Sequence, residues 1–115
     1  MTVEFFVAKA HRYTQARRYM RLPADFPVQV LADELRVNDR VLDISEAGIG
    51  VRTVRPLSPM ALVSLRLEVP HDPQPIDLLG RVMWRTRDQM GIRFEQKDPR
   101  LGDVLFRLRQ TYARI

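Results

Sequence analysis

Cysteine is absent from the chain, which excludes disulfides, thiol nucleophiles and zinc–thiolate sites and points to the cytosol as the compartment. Long apolar runs are missing too. None approaches the ~20 residues that a membrane-spanning helix needs. The N-terminus does not read as a signal peptide, because Glu4 interrupts Val3–Ala8 and Lys9, His11 and Arg12 follow closely. Histidine is scarce: His11 and His71 are sixty positions apart, and no HExxH, GxSxG or phosphate-loop pattern occurs. His71 beside Asp72 has the form of half an acid/base pair, but between Pro70 and Pro73 it reads as a solvated turn. The expectation is a protein that is not an enzyme and holds no metal or cofactor.

Lysine is nearly absent as well, and this turns attention to what is abundant. Of nineteen basic residues against fourteen acidic, seventeen are arginine, and the net charge is +5. Solubility needs only lysine. Arginine adds a flat fork that grips phosphate bidentately and stacks on aromatic planes. Residues 1–25 carry +3, residues 26–75 carry −2 and residues 76–115 carry +4. That distribution suits an anionic partner, and high-GC coding bias also inflates arginine.

The 115 residues are enough for one hydrophobic core. Residues 1–23 form a lead-in of mixed polarity that stops at Pro23, with a helix expected over part of Thr2–Ala16. From residue 24 to 97 short strands follow one another. Val28 and Val30 alternate, then Leu35 and Val37, then Val41, then Ile49 and Val51. Val63, Leu65, Leu67 and Val69 oppose Ser64, Arg66 and Glu68, and Ile76–Trp84 and Met90–Phe94 flank a tight turn at Arg87-Asp88. Turns are expected at Ala32-Asp33, Asn38-Asp39, Pro56–Pro59 and Pro70–Pro75. Six to seven such strands predict an all-β antiparallel barrel or sandwich. Residues 98–115 change period: Leu101, Val104, Leu105, Leu108, Tyr112 and Ile115 make one helical stripe, with Asp98 as N-cap and Pro99 in the first turn. The stripe predicts a C-terminal amphipathic helix packed on the barrel.

Two segments carry the candidate chemistry. Gln15–Pro23 contains Arg17, Arg18 and Arg21, with an RxxxR spacing just ahead of the first strand. Leu42–Val51 contains a DxSxxG made of Asp43, Ser45 and Gly48, leading into a strand. The second segment also reads as an ordinary turn, with Asp43 and Ser45 bonding local backbone and Gly48 supplying a turn conformation.

In this order, and followed by this strand pattern, the two motifs resemble the PilZ domain, a family that binds the bacterial second messenger cyclic di-GMP. The resemblance runs from about Arg17 to Glu95 plus the closing helix. It includes Gly80-Arg81-Val82-Met83-Trp84 and Met90-Gly91-Ile92-Arg93-Phe94, which look like the family's GxVxW and GxxF strands. It implies a six- to seven-stranded PilZ-type barrel with a C-terminal α-helix and an arginine-rich lead-in, of single-domain type. It also implies a cyclic di-GMP site at Arg17, Arg21, Asp43, Ser45 and Gly48; by its own chemistry Arg18 is a third fork in the same segment. Trp84 sits where some members place an aromatic against a guanine; its other reading is core or rim packing. Arg81, Arg85 and Arg93 read as solvated strand arginines that add positive potential. Ala16 stands where the family often has another arginine, which leaves one or two bound ligands open.

The residues suit such a ligand on their own chemistry. Guanine shows O6 and N7 to an arginine fork and N–H donors to a carboxylate, and its faces suit stacking. The expected function is a cytoplasmic receptor or adaptor whose lead-in is reshaped by cyclic di-GMP and which signals through a protein partner. The alternatives are a single-stranded nucleic-acid-binding barrel and a PilZ-like adaptor that binds no nucleotide. Only Phe26, Trp84 and Phe94 are aromatic between residues 26 and 95, which is thin for base stacking along a barrel face.

Overall fold

Alternation of apolar and polar side chains becomes six strands. The computed structural model describes residues 21–96 and 98–112. Within them lie β1 (Leu22–Ala32), β2 (Leu35–Ile44), β3 (Gly48–Arg52), β4 (Leu62–Leu67), β5 (Ile76–Arg85), β6 (Gln89–Gln96) and the helix α1 (Leu101–Tyr112). Every neighbouring pair is antiparallel, in the order β1-β2-β3-β6-β5-β4, and β1 pairs with β4 to close the barrel. Closure removes the free sheet edges that would otherwise recruit other strands.

Each strand turns its apolar set inward. Val63, Leu65 and Leu67 of β4 are at most 1% exposed, while Leu62, Ser64 and Arg66 face out. Phe26, Val28 and Val30 of β1, Val41 and Ile44 of β2, and Ile49 and Val51 of β3 complete that side of the core. Fully burying each such side chain stabilises by about 1.5–3 kcal/mol.

The expected turn at Asn38-Asp39 does not form. β2 runs unbroken from Leu35 to Ile44, with Asn38 opposite Gln29 and Asp39 opposite Val28. Asp39 takes an inward position between Val37 and Val41 and is only 6% exposed, so a polar pair that reads as a turn lies inside a strand. The first hairpin turns at Asp33, as expected from Ala32-Asp33; Asp33 adopts a left-handed φ of 54° between the paired Ala32 and Leu35. β1 reaches back to Leu22, and the proline at position 23 is accommodated where the β1–β2 register shifts between Pro23 and Phe26. The helix expected in Thr2–Ala16 lies outside the described residues.

α1 follows its stripe. Leu101, Val104, Leu105 and Leu108 are buried, and the helix packs on β1. The Tyr112 side chain and Ile115 lie outside the described set. Asp98 caps as expected: its Oδ1 accepts from the Arg100 N–H at 2.7 Å, and the Leu101 N–H bonds the Asp98 carbonyl at 2.9 Å. Asp72 proves to be an anchor for this helix. Its Oδ2 takes an ion pair from Arg107 at 2.9 Å, and Arg100 donates to the Pro75 carbonyl at 2.6 Å.

Candidate functional site

Arg21 stands immediately before β1, and the ladders behind it build a row across five strands. β1–β2 places Pro23 opposite Asp43, and β2–β3 places Asp43 opposite Gly50. Gly50 pairs with Gly91 across β3–β6, and Gly91 with Trp84 across β5–β6. Because Ile49 and Val51 face the core, Gly50 and its row face outward. Two register shifts, between Val41 and Asp43 and between Val82 and Trp84, bring the two ends of the row to this face.

Asp43 is the hub. Its Oδ1 accepts from the Gly50 N–H at 2.9 Å and from the Arg21 guanidinium at 2.5 Å. Oδ2 has no hydrogen-bond partner among the described residues, and the side chain is 38% exposed. Among the described residues this half-open carboxylate is thus held by one oxygen. Trp84, at the far end, is half-buried with its indole across Gly91.

Ser45 and Gly48 serve the loop behind Asp43. Ser45 is 1% exposed; its Oγ accepts from the Ala47 N–H at 3.1 Å and its N–H donates to the Gly48 carbonyl at 2.9 Å. Its hydroxyl orders the β2–β3 turn, and the strand ends at Ile44, so Asp43 and Ser45 do not share one extended face. Gly48 has no left-handed φ. What it supplies is close approach, since a Cβ there would run into the Ile92 carbonyl oxygen of β6. Arg17 and Arg18 lie outside the described residues.

The strand arginines divide. Arg81 and Arg93 converge on Glu95 at 3.6 and 2.9 Å, and the Arg93 hydrogen bond holds the Glu95 carboxyl below the usual range. Arg85 is exposed and forms no ion pair among the described residues. A groove of about 770 Å³ runs over the outer face of β1, β4 and β5, lined by Gln29, Leu31, Ser64, Arg66 and Leu79 among others. None of the candidate ligand-binding residues named from the sequence lines it, and Arg66 is already engaged there by Asp77 at 2.8 Å. The sequence reading missed Gly50 and Gly91. Their one signal is a glycine in the interior of an alternating strand, which marks close approach by another group.

A small closed barrel that carries its polar site on the outside of the sheet, with arginine entering from the chain ahead of β1, defines the class. The PilZ domain profile matches residues 15–110, and the chain belongs to the PilZ domain family. Comparison with curated protein sequences gives no match. Solved structures show the same fold. The PilZ domain with c-di-GMP of YcgR from Escherichia coli superposes with a TM-score of 0.66 at 19% identity, covering 85% of this chain and 92% of that one. The PilZ domain of CeSA from a cellulose-synthesizing bacterium gives 0.61 at 22% identity, covering 77% and 93%. The Bacillus subtilis inhibitor of motility MotI/DgrA gives 0.65 at 21% identity over 85% of this chain, which spans 50% of the MotI chain. Among the described residues no helix is long and apolar enough to cross a membrane.

Proposed function

We propose that the chain is a cytoplasmic receptor for cyclic di-GMP that passes the signal to a protein partner. The observation that carries this reading is the Arg21–Asp43 pair fixed to the Gly50 backbone at one end of an outward row that ends in Trp84. The Asp43 Oδ2, without a partner among the described residues, is an acceptor for guanine N–H donors. The Arg21 fork fits either a phosphate or the O6/N7 edge of guanine. Trp84 offers a face for a base to stack on. Arg17 and Arg18 enter the proposal through their place in the RxxxR segment, and Ser45 and Gly48 through the turn that holds Asp43.

Family membership supports the ligand, and the YcgR domain, solved with c-di-GMP, shares the fold. MotI, described as an inhibitor of motility, supports output through another protein. The test is calorimetric titration with cyclic di-GMP, GMP, cyclic GMP and a short single-stranded DNA. Cyclic di-GMP is expected to bind far more tightly than the rest, because it alone reaches both arginine segment and strand row. Equal or tighter binding of the DNA would overturn the proposal in favour of a nucleic-acid-binding barrel.

A further inference from the structure

Gly50 and Gly91 sit side by side in the β3–β6 ladder, each in the interior of its strand. Glycine in a strand interior weakens the strand relative to alanine, so its presence needs a cause. Backbone conformation is not the cause, since neither glycine has a positive φ. Side-chain space is. A Cβ on Gly50 would lie 2.8 Å from Asp43 Oδ1, and a Cβ on Gly91 would overlap Nε1 and Cε2 of the Trp84 indole. The first contact is with the tip of a carboxylate that can shift. The second is with a bulky ring that is already half-buried at a bulge in β5.

We infer that Gly91 is a positioning residue of the proposed cyclic di-GMP site: by lacking a side chain it lets Trp84 lie across β6, in the same row as Asp43, as the platform for one guanine. The inference rests on the receptor reading for its ligand. A ring placed this way lines up with the Asp43 carboxylate across Gly50, so one planar base is offered a face by Trp84 and an acceptor from the Asp43 end. A methyl group at position 91 would swing the indole away from the sheet and separate the two. Sites of this kind lose function when a supporting contact moves a group by about 1 Å. Covering a strand glycine with an aromatic also stabilises sheets, so stability alone does not distinguish the roles.

Trp84 is the single tryptophan, so its emission reports its own environment without labels. Four proteins suffice: wild type, Gly91→Ala, Trp84→Ala and the double variant, each titrated with cyclic di-GMP. Gly91→Ala is expected to red-shift the ligand-free emission and to weaken binding roughly 5- to 150-fold, the range for losing one base–aromatic stack. In the Trp84→Ala background the same Gly91→Ala change is expected to add nothing, because there is no ring left to place. Wild-type affinity in Gly91→Ala, or an equal loss in both backgrounds, would overturn the inference. If Gly91→Ala does not fold, the double variant, which has room for the methyl, is expected to fold and to bind as Trp84→Ala does; weaker binding would overturn the inference. If the wild type binds no cyclic di-GMP, the receptor reading falls by itself. Positioning is then judged by emission and iodide quenching, and unchanged values in Gly91→Ala would overturn it.

Discussion

Replacing Asp43 with asparagine keeps the shape of the side chain and removes its charge. In the free protein an amide oxygen can still accept from the Gly50 N–H, which Oδ1 takes at 2.9 Å. What disappears is the ion pair with Arg21, whose side chains are 36% and 38% exposed. Pairs that open to solvent contribute about 0.2–1 kcal/mol. For a domain of this size that shifts Tm by no more than about 4–8 °C. The bound state loses more. The Oδ2 position becomes an amide NH₂, which sets a donor against the guanine N–H donors. Losing a hydrogen bond to a charged group costs about 1.5–3 kcal/mol, or roughly 10- to 150-fold in affinity. The assay is calorimetric titration with cyclic di-GMP beside thermal melting of the ligand-free variant. Affinity within about twofold of wild type would remove Asp43 from the site. Collapse of the ligand-free protein would instead make Asp43 a support of the fold.

Arg21→Ala and Arg21→Lys are each expected to weaken binding roughly 5- to 150-fold in the same titration, since an ammonium lacks the fork; full rescue by lysine would reduce Arg21 to a point charge. Ligand-free melting of both is expected to stay within a few degrees of wild type, because the pair that alanine removes and lysine alters is half-exposed. Leu65→Ala, in the β4 core at 1% exposure, is expected to cost about 2–5 kcal/mol in denaturant unfolding whatever the ligand; a smaller loss would contradict the packing of β4. Burial pushes the Asp39 carboxyl above its usual range, offset in part by the Thr53 hydroxyl, and its Oδ2 is buried without a partner. The folded protein therefore binds this proton more tightly than the unfolded chain does, and stability falls as pH rises from the unfolded value near 3.8 through the raised folded one. Measured by melting, the difference Asp39→Asn minus wild type is expected to move in favour of the variant between pH 4 and pH 7; a constant difference would place the Asp39 carboxyl in solvent.

The barrel was legible because closure and burial both act through a period of two. Val63, Leu65 and Leu67 alternate with polar residues in the sequence, and the core takes them as written. Asn38-Asp39 misled because composition cannot tell a solvated turn from an inward polar position beside Thr53. The motifs Arg21 and Asp43 were legible as residue types. Their partners were not, since the Asp43–Gly50–Gly91–Trp84 row exists only through ladder register and two bulges. Ser45 shows the same limit: it was legible as a member of the DxSxxG, while the end of β2 at Ile44 turns its hydroxyl into the loop.

The proposed seat of cyclic di-GMP is the outer row that runs from Arg21 and Asp43 to Trp84. An amide-resolved NMR titration of the full chain with cyclic di-GMP tests it most directly. The largest shifts are expected at Asp43, Gly50 and Gly91 and at the single indole N–H of Trp84, with Ser64, Arg66 and Leu79 in the groove on β1, β4 and β5 nearly still. Shifts concentrated in that groove, or no shifts at saturating ligand, would contradict it.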